Sequence, residues 1–396
     1  MTSLKIIDYN SINSFHEIIN LAFIDIFSSI FEEVYYISGK SAQLNNKKIT
    51  KEIKGVFFEN VRYKRLFTIE TDTRLMALIR HLCGFFTTLY YYFIIDRRDV
   101  IFYNYTNYFS LPIICLLNHI LHKKVIFTFH GELELLTSKT KFFRPPTLYK
   151  FFLNIGLKYC FTGSSCKGLV LGDSIKTNIL SLYPHISKEI ISICHPYYFK
   201  NNNQITKSQD NQSPQPLRIG TVGSINKNKG LMELIEISLR LQPYIQNSQL
   251  EIFCIGKIND KSIELPSNIQ LIGNENGLSR EEYEKSINAL DYILYLYPIH
   301  SYKLTASGAI MDAIKLERPI ISLKNDFFSY LFQDSCPGYL TSSTDELIST
   351  IEKIIYTKTT PNFQKEFTKV KHKIDIKTNT ILLMEQINDI IKDNSK

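Results

Sequence analysis

The sequence predicts an α/β fold with two domains, each built around a parallel β-sheet. Short apolar runs alternate with amphipathic stretches along most of the chain, which is the pattern of repeated βαβ units. The alternation stops at residues 200–216, which are rich in Asn, Gln, Ser and Pro, and then starts again. A length of 396 residues also suits two domains of roughly 150 residues or more.

The chain therefore divides into a first domain over residues 1–199, a linker over 200–216, a second domain over 217–375 and a C-terminal helix over 376–396. Six apolar runs are predicted strands of the first domain: Lys5–Tyr9, Val34–Ile37, Val100–Tyr103, Lys124–Phe129, Tyr159–Thr162 and Ile190–Cys194. The longest predicted helix there runs from Asp72 to about Ile95, and Pro145-Pro146 begins another.

Six further runs are predicted strands of the second domain: Leu217–Val222, Leu250–Ile255, Ile269–Ile272, Tyr292–Tyr297, Pro319–Leu323 and Gly338–Leu340. Two helix starts carry the capping-box pattern, Ser279 with Glu282 and Ser343 with Glu346. Ligands of parallel sheets bind beyond the carboxyl ends of the strands, so each motif is judged by whether it follows a strand.

Composition limits the function classes only loosely. The net charge of +8 favours acidic partners, but the basic residues are spread along the chain. No nucleic-acid-binding motif, zinc-ligand spacing or G-x-S-x-G element is present. The seven cysteines include no C-x-x-C pair, which indicates free thiols in a reducing compartment, and the N-terminus begins as a strand, so we expect a cytoplasmic protein.

One apolar stretch raises the question of a membrane span. Val100–Leu121 contains no Asp, Glu, Lys or Arg and is long enough to cross a bilayer. It also contains Asn104, Asn107, Asn118 and a proline, and such polar groups are costly in hydrocarbon. We expect a strand followed by a helix that begins near Ser110.

A candidate anion site begins the second domain, where Arg218–Leu231 predicts a strand, a loop and the start of a helix. The loop carries Gly223, Ser224, Lys227 and Lys229. Glycine lets backbone approach a ligand, lysine supplies charge, and the first N–H groups of a helix attract an anion. An ordinary βα turn with solvated lysines explains the pattern equally well, because its spacing is neither G-x-G-x-x-G nor a P-loop.

A second candidate is "YKLTASGAIMDAI", residues 302–314. Tyr302 lies in a loop, Ser307 and Gly308 precede a predicted helix, and Asp312 lies about one turn into it. The helix N-terminus suits a phosphate, and the acid suits a neighbouring hydroxyl. The alternative is a capped core helix whose acid lies in the favourable first turn. Gly256 ends another predicted strand. A glycine there allows a base or ribose to approach closely, but it could equally form only a turn.

The first domain offers two histidines after strands. His130 follows "VIFTF" and is next to Gly131 and Glu132, a position suited to acid–base or polarising chemistry. The alternative is a loop histidine without a partner. His195 ends the last strand before the linker, where a hinge role is as well supported as a ligand role.

Together these residues resemble the GT-B glycosyltransferases, and within them the retaining enzymes of family 4. The resemblance covers essentially the whole chain and is clearest in the second domain. Gly223-Ser224, Lys229-Gly230 and Ile255-Gly256 take the places of the family's Gly-Arg, Lys-Gly and Ile-Gly pairs. "MDAIKLERPII" matches the end of the family's Glu-x7-Glu block, so Asp312 takes the place of the second acid. Ser224 replaces the family's Arg, and Leu304 replaces its first Glu.

The resemblance implies two Rossmann-like domains that face a central cleft, a nucleotide-sugar donor in the second domain, and a saccharide or lipid-linked saccharide acceptor in the first. It implies that Asp312 binds the ribose and that Ser307 and Gly308 bind the diphosphate. His130 and Glu132 would lie near the reacting sugar. Transfer would proceed with retention, without a metal or cofactor, in the synthesis of a surface polysaccharide.

Two alternatives to a glycosyltransferase remain at this point. The chain could be a non-catalytic sugar-nucleotide or polysaccharide-binding protein, as the missing Glu suggests, or a cofactor-free epimerase of the same fold.

The aromatic and basic residues interleaved over Arg80–Lys124 predict peripheral contact with the inner face of the cell membrane. A buried helix and strand would explain them equally well.

Overall fold

The computed structural model describes residues 3–71, 73–138, 144–199, 215–258, 263–273, 278–358 and 361–392. The chain divides into two compact units. The first unit contains Met1–Tyr198, Leu304–Ala306 and Lys373–Lys396, and the second contains Phe199–Lys303 and Ser307–His372. Most of the predicted linker lies outside the described residues.

The first unit is built on a parallel sheet, to which its described residues contribute seven strands in the order β3-β2-β1-β4-β5-β6-β7. The strands are β1 (Ser3–Asp8), β2 (Glu33–Ser38), β3 (Val61–Arg65), β4 (Val100–Tyr103), β5 (Lys124–Phe129), β6 (Cys166–Val170) and β7 (Ile190–Ser192). At the centre, Ile6 lies opposite Tyr36 on one side and Phe102 on the other. These strands are apolar on both faces because helices cover both sides of the sheet.

The helices of the first unit are α1 (Glu17–Ser28), α2 (Lys40–Lys54), α3 (Arg74–Ile94), α4 (Ser110–Leu121), α5 (Pro145–Ile155) and α6 (Asp173–Leu182). Thr73 caps α3 by accepting a hydrogen bond from the Met76 N–H at 3.3 Å. Pro145 occupies the start of α5, where a missing N–H costs nothing. A π-helical turn, Gly156–Cys160, continues α5.

The second unit has its own parallel sheet, in which the described strands follow the order β10-β9-β8-β11-β12-β13. These strands are β8 (Leu217–Ile225), β9 (Leu250–Ile258), β10 (Ile269–Ile272), β11 (Tyr292–Tyr295), β12 (Ile320–Leu323) and β13 (Gly338–Thr341). The helices that follow them are α7 (Leu231–Arg240), α8 (Gln242–Gln246), α9 (Arg280–Asn288), α10 (Ile310–Lys315), α11 (Asp326–Leu331), α12 (Thr344–Thr357) and α13 (Gln364–Ile374).

The last helix, α14 (Ile376–Lys392), packs in the first unit. Its Leu383 and Ile387 are fully buried in that core. The Gln386 amide both donates to the Ser192 carbonyl at 2.7 Å and accepts from the Ser192 N–H at 3.0 Å, so it completes the edge of β7. The sequence predicted this helix but not the sheet edge that it covers.

The predicted α/β architecture is confirmed, and eleven of the twelve predicted strands coincide with observed ones to within a few residues. The strand predicted at Tyr159–Thr162 is wrong. Its first residues belong to the π-helical turn, where Gly156 packs against α4, and Cys166–Val170 pairs with β5 instead. Edge strand β3 was not predicted, because its alternating charged residues conceal it.

The apolar stretch that raised the question of a membrane span forms a strand and a helix of the first unit. Val100–Leu121 forms β4 and α4, and α4 begins at Ser110 as predicted. No helix in the described part of the chain is long and apolar enough to cross a bilayer. All seven cysteines are free, as the sequence predicted.

Candidate functional site

Three glycines lie side by side at the carboxyl ends of neighbouring strands in the second unit. Gly223 of β8 pairs in register with Gly256 of β9, and Gly273 follows β10. A Cβ on Gly256 would lie 2.3 Å from the Gly223 carbonyl oxygen, and one on Gly273 would lie 2.3 Å from the Gly256 carbonyl oxygen. The sheet itself therefore demands glycine at 256 and 273. The result is a backbone strip without side chains, against which a flat ligand can lie.

The loop after β8 carries the two predicted lysines. Lys227–Lys229 forms a single 3₁₀ turn, and Gly230 has a left-handed φ of 85°. A Cβ on Gly230 would lie 2.2 Å from the Leu296 carbonyl oxygen, so this glycine is required by packing alone. Lys227 is exposed. Lys229 is partly covered, and burial lowers the pKa of its ammonium group, which makes it the stronger candidate to pair with an anion.

Asp312 of α10 is held by the start of α9. Its Oδ1 accepts a hydrogen bond from Arg280 Nη2 at 3.0 Å, and its Oδ2 accepts one from Tyr283 Oη at 3.4 Å. Arg280 is positioned by the full capping box of Ser279 and Glu282, which confirms the first predicted box. The Arg280 Nε also donates to Glu284 at 2.6 Å. Asp312 is therefore one member of an ordered charge network.

Tyr283 links Asp312 to the glycine strip. Its hydroxyl lies 3.4 Å from Asp312 Oδ2 and would lie 3.7 Å from a Cβ on Gly223. Two residues that the sequence selected from separate motifs are thus joined through one phenol. Neither Arg280 nor Tyr283 was selected, because nothing in the sequence marks the first turn of α9 as part of a ligand site.

Ser307 and Tyr302 form a second group around Tyr297. The rings of Tyr297 and Tyr302 stack at 4.3 Å with an interplanar angle of 9°, and Tyr302 has a left-handed φ of 57°. The Tyr297 hydroxyl lies 3.2 Å from Ser307 Oγ, and Ser307 is 1% exposed. Its hydroxyl thus faces Tyr297 in the interior of the second unit.

Neither the packing nor the backbone conformation of the described residues requires a glycine at Gly308. It is exposed, its φ is not in the left-handed region, and a Cβ there would meet no described heavy atom within 4 Å. The helix after it begins at Ile310 and has six residues, so Asp312 lies within its first turn and not one turn into it, as predicted from the sequence. Its dipole is correspondingly weak.

In the first unit, His130 lies at the carboxyl end of β5 and is buried. Its Nε2 lies 2.8 Å from the Asn104 carbonyl oxygen, which makes Nε2 the donor and leaves Nδ1 as the acceptor. Burial, assisted by His16, lowers the pKa of His130 to about 3. The imidazole is therefore neutral at pH 7 and suits hydrogen bonding to a hydroxyl.

Two further histidines surround it. The ring of His16, a residue with a left-handed φ of 58°, lies 4.6 Å from the ring of His130. Burial, assisted by His195, lowers the pKa of His16 to about 4. Burial, assisted by His130, lowers the pKa of His195 to about 4. The structure thus gathers both predicted histidines and adds His16, which the sequence did not single out.

Glu132 supports the turn after β5. Its Oε2 accepts hydrogen bonds from the His130 N–H at 2.6 Å and the Gly131 N–H at 2.9 Å. Burial raises the pKa of Glu132 to about 7, although the backbone N–H groups act in the opposite direction. These bonds go to the backbone of the His-Gly turn, so Glu132 fixes the position of His130.

Leu304–Ala306 also belongs to the first unit. Leu304, at the place of the family's first Glu, is 1% exposed within the apolar core. The Thr305 hydroxyl donates to the His130 carbonyl at 2.7 Å. Among the described residues, no group of three or more His, Cys, Asp or Glu side chains is arranged to hold a metal ion.

Comparisons with known proteins identify the fold. No protein-family model matches the chain, and no curated protein matches it in sequence. Solved structures do match over nearly its whole length. Anabaena Alr3699/HepE, in complex with UDP and glucose, has a TM-score of 0.61 and 14% identity, covering 98% of this chain and 100% of that one.

Two other structures give the same picture. WaaG, a glycosyltransferase involved in lipopolysaccharide biosynthesis, has a TM-score of 0.57 and 14% identity, covering 100% of both chains. Sucrose-phosphate synthase from Thermosynechococcus elongatus has a TM-score of 0.62 and 11% identity, covering 98% of this chain and 99% of that one. At such identities the likeness establishes the fold, and the GT-B fold predicted from the sequence is confirmed.

Proposed function

We propose that this chain is a glycosyltransferase that moves a sugar from a nucleotide-sugar donor to a saccharide or lipid-linked saccharide acceptor, with retention, in the synthesis of a surface polysaccharide. One observation carries the proposal. Asp312 and the glycine strip are joined through Tyr283 at the carboxyl ends of the second sheet, where ligands of parallel sheets bind. A nucleoside needs both a flat, side-chain-free surface and an acceptor for its hydroxyls.

The donor site is assigned to the second unit. The base lies on the strip at Gly223 and Gly256, and the Asp312 carboxylate accepts hydrogen bonds from the ribose. Lys229 faces the diphosphate, where a partly desolvated ammonium interacts strongly with an anion. The exposed backbone at Gly308 leaves room for the same group.

The acceptor site is assigned to the first unit. His130, with His16 and His195, presents neutral imidazoles, which hydrogen-bond sugar hydroxyls without placing a charge beside them. His130 positions or polarises the reacting sugar, and Glu132 holds its turn. We propose metal-independent transfer because Lys229 supplies positive charge for the leaving diphosphate.

Two of the similar structures support the donor class. Alr3699/HepE has been crystallised with UDP and with UDP-glucose, and WaaG is named a glycosyltransferase involved in lipopolysaccharide biosynthesis. We therefore place a nucleoside diphosphate sugar first among the candidate donors. The proposal includes a cytoplasmic location with peripheral membrane contact.

A non-catalytic nucleotide-sugar or polysaccharide-binding protein is the second candidate. It is favoured by Leu304, which is buried where the family has an acid beside the donor sugar. A thermal-shift screen against UDP, GDP, CMP, ADP and their sugars identifies the nucleotide first. Nucleotide release with and without a saccharide acceptor then separates the two functions.

The matched control for that screen is Asp345→Asn. Asp345 is also an acid in the first turn of a helix, but it pairs with Arg240 on the surface. We expect a nucleotide to stabilise wild type and Asp345→Asn equally and to stabilise Asp312→Asn less. If no nucleotide or nucleotide sugar stabilises wild type, the proposed function is wrong.

A further inference from the structure

Basic residues occur along the whole chain, but its net charge is concentrated in one segment of the first unit. Residues 40–65, which form α2, β3 and the turn between them, contain eight Lys and Arg residues and two Glu residues. Their net charge of +6 is most of the chain's +8. In the described sheet β3 is an edge strand, so this charge lies along one side of the unit. Such a concentration of one sign attracts anions.

A cavity of about 520 Å³ lies at one end of this segment, where α2 begins and β3 ends. We call it the basic cavity, and its lining residues are Lys40, Arg65, Leu66, Phe67, Thr68 and Glu70. Lys40 is the first residue of α2, and Arg65 is the last residue of β3. Both side chains are exposed, and neither has an acidic partner in the described part of the chain. The cavity therefore offers two positive charges to a ligand.

Helix stability does not account for the lysine at the start of α2. The first N–H groups of a helix carry a partial positive charge, and a lysine at that position is repelled by it. The first turn of α2 contains no acidic residue, and Gly39 provides no side-chain cap. Instead, the Glu70 carboxylate accepts a hydrogen bond from the Ser41 N–H at 2.8 Å. The protein's own carboxylate thus occupies a position that attracts anions.

The basic cavity lies on the same edge of the first sheet as His130. Lys40 follows β2, Arg65 ends β3 and His130 follows β5, and the carboxyl ends of parallel strands meet at one edge. Three strand spacings separate β2 from β5 in the sheet, or roughly 14 Å at about 4.8 Å each. An extended acceptor with its reacting sugar at His130, as proposed above, therefore reaches the basic cavity with a more distant sugar.

Packed residues fix the distance between the two places. Thr68 of the basic cavity donates a hydrogen bond from Oγ1 to the Tyr9 carbonyl oxygen at 2.8 Å. The Tyr9 ring lies 5.8 Å from the Tyr105 ring, which lies 6.5 Å from the His130 ring at an interplanar angle of 18°. The wall of the cavity and the His130 turn therefore belong to one packed structure.

We propose that the basic cavity binds an anionic group, a carboxylate or a phosphate, carried by the saccharide acceptor. The identification of this ligand as the acceptor rests on the proposed function, whereas the anion site rests on the first unit alone. Lys40 and Arg65 pair with the anion, which displaces the Glu70 carboxylate from the Ser41 N–H. The site therefore selects an acidic or phosphorylated acceptor over a neutral one.

The test compares three disaccharides that differ only at one carbon: cellobiose, its 6′-phosphate and the matching glucuronate, cellobiouronate. Their Kd values for the full chain are measured by ligand-detected NMR without nucleotide. We expect at least one of the charged disaccharides to bind about 5-fold or more tightly than cellobiose, since one exposed ion pair has an effect of about this size. The two charged compounds distinguish a carboxylate site from a phosphate site.

Three substitutions locate the binding. Lys40→Gln and Arg65→Gln should each weaken binding of the charged disaccharide about 5-fold. Glu70→Gln should strengthen it by a similar factor, because the competing carboxylate is removed. The matched control is Lys48→Gln, which removes an exposed lysine about two turns further along α2 that pairs with Glu52 at 3.9 Å. This control should bind like wild type.

Equal binding of all three disaccharides to wild type would overturn the proposal, as would unchanged binding by Lys40→Gln and Arg65→Gln. Weaker binding by Glu70→Gln would also overturn it, because Glu70 would then act only as a cap of α2. Polyuridylate that binds wild type and is weakened equally by Lys40→Gln and Lys48→Gln would show a non-specific polyanion surface instead. The melting temperature of Lys40→Gln should not fall, since the change removes repulsion at the helix start.

Failure of this site and failure of the proposed function give different results. A chain that binds a charged disaccharide but is stabilised by no nucleotide or nucleotide sugar keeps the anion site and loses the transfer reaction. A chain that nucleotide sugars stabilise, but that prefers neither charged disaccharide over cellobiose, keeps the transfer reaction and loses the anion site.

Discussion

Replacing Asp312 with Asn tests the proposed donor site most directly, because the change keeps the size of the side chain and removes its charge. In the chain without ligand, Asp312 accepts from Arg280 at 3.0 Å and from Tyr283 at 3.4 Å. The Arg280 side chain is 50% exposed, so loss of this ion pair should cost no more than about 1 kcal/mol of folding free energy. The fold should therefore survive.

The effect on nucleotide binding should be larger. The amide of Asn replaces one acceptor oxygen with a donor, which leaves a ribose hydroxyl facing another donor. An unpaired polar group of this kind costs about 1–3 kcal/mol, or roughly 5- to 150-fold in Kd. Asp312→Glu should be milder, because the resembling family has Glu at this place.

The assay is calorimetric binding of the preferred nucleotide and of its 2′,3′-dideoxy analogue to wild type, both variants and the Asp345→Asn control. Wild type should bind the natural nucleotide more tightly, and Asp312→Asn should lose most of that preference. If wild type binds both compounds equally, Asp312 does not contact the ribose and the assignment is refuted.

Arg280 extends the same experiment. Because Arg280 holds the Asp312 carboxylate in place, Arg280→Ala should weaken binding by about 1 kcal/mol in wild type and by much less in the Asp312→Asn background. Additive losses in the double variant would mean that Arg280 contacts the nucleotide independently of Asp312.

The remaining predictions concern the glycine, the lysine and the histidines. Gly308→Ala should leave stability within about 0.5 kcal/mol, since its Cβ meets nothing, and should weaken nucleotide binding by about 1–3 kcal/mol through a clash with the ligand. Lys229→Ala should weaken binding by about 1.5–3 kcal/mol, measured by calorimetry, because it removes a charge-assisted contact. The three histidines have pKa values below the unfolded value of about 6.5, so the stability that they contribute is complete above that pH and is lost as pH falls from about 6.5 towards 4. Glu132, whose pKa is raised to about 7, acts in the opposite sense, because its contribution to stability grows as pH falls. Denaturant unfolding near pH 5.5 should therefore show that these four groups together lower the free energy of unfolding by about 2 kcal/mol per pH unit as pH falls.

Each of these predictions has an outcome that would contradict it. Gly308→Ala that binds as wild type would place the ligand elsewhere. Lys227→Ala should have a smaller effect than Lys229→Ala, because Lys227 is exposed, and the reverse order would exchange their roles. His130→Gln should flatten the pH dependence of stability, and an unchanged slope would mean that His130 does not titrate as described.

Most of the site could be selected from the sequence because its residues follow predicted strands. Asp312, Gly223 and Gly256 were chosen from three separate motifs, and the structure joins them through Tyr283. Tyr283 itself could not be chosen, since a tyrosine in the first turn of a polar helix carries no local signal. Only the pairing of strands and the packing of α9 bring its hydroxyl to the strip.

The sequence also could not distinguish glycines required by the fold from one that the fold does not require. Gly256 and Gly308 look alike in the chain, yet a Cβ at the first would lie 2.3 Å from a backbone oxygen and a Cβ at the second would meet nothing. Likewise, Tyr159–Thr162 reads as a strand, but its first residues belong to the π-helical turn and β6 takes the place beside β5.

The sequence alone determined the alternation of strands and helices, the two parallel sheets and most of the candidate ligand residues, because these follow from hydrophobic periodicity and from the chemistry of short motifs. The tertiary structure decided what periodicity cannot encode. Tertiary packing placed His16 beside His130, and burial lowers the pKa of His16, His130 and His195. Pairing of β8 with β9 brought Gly223 beside Gly256, since neighbours in space are set by the fold and not by the order of the chain.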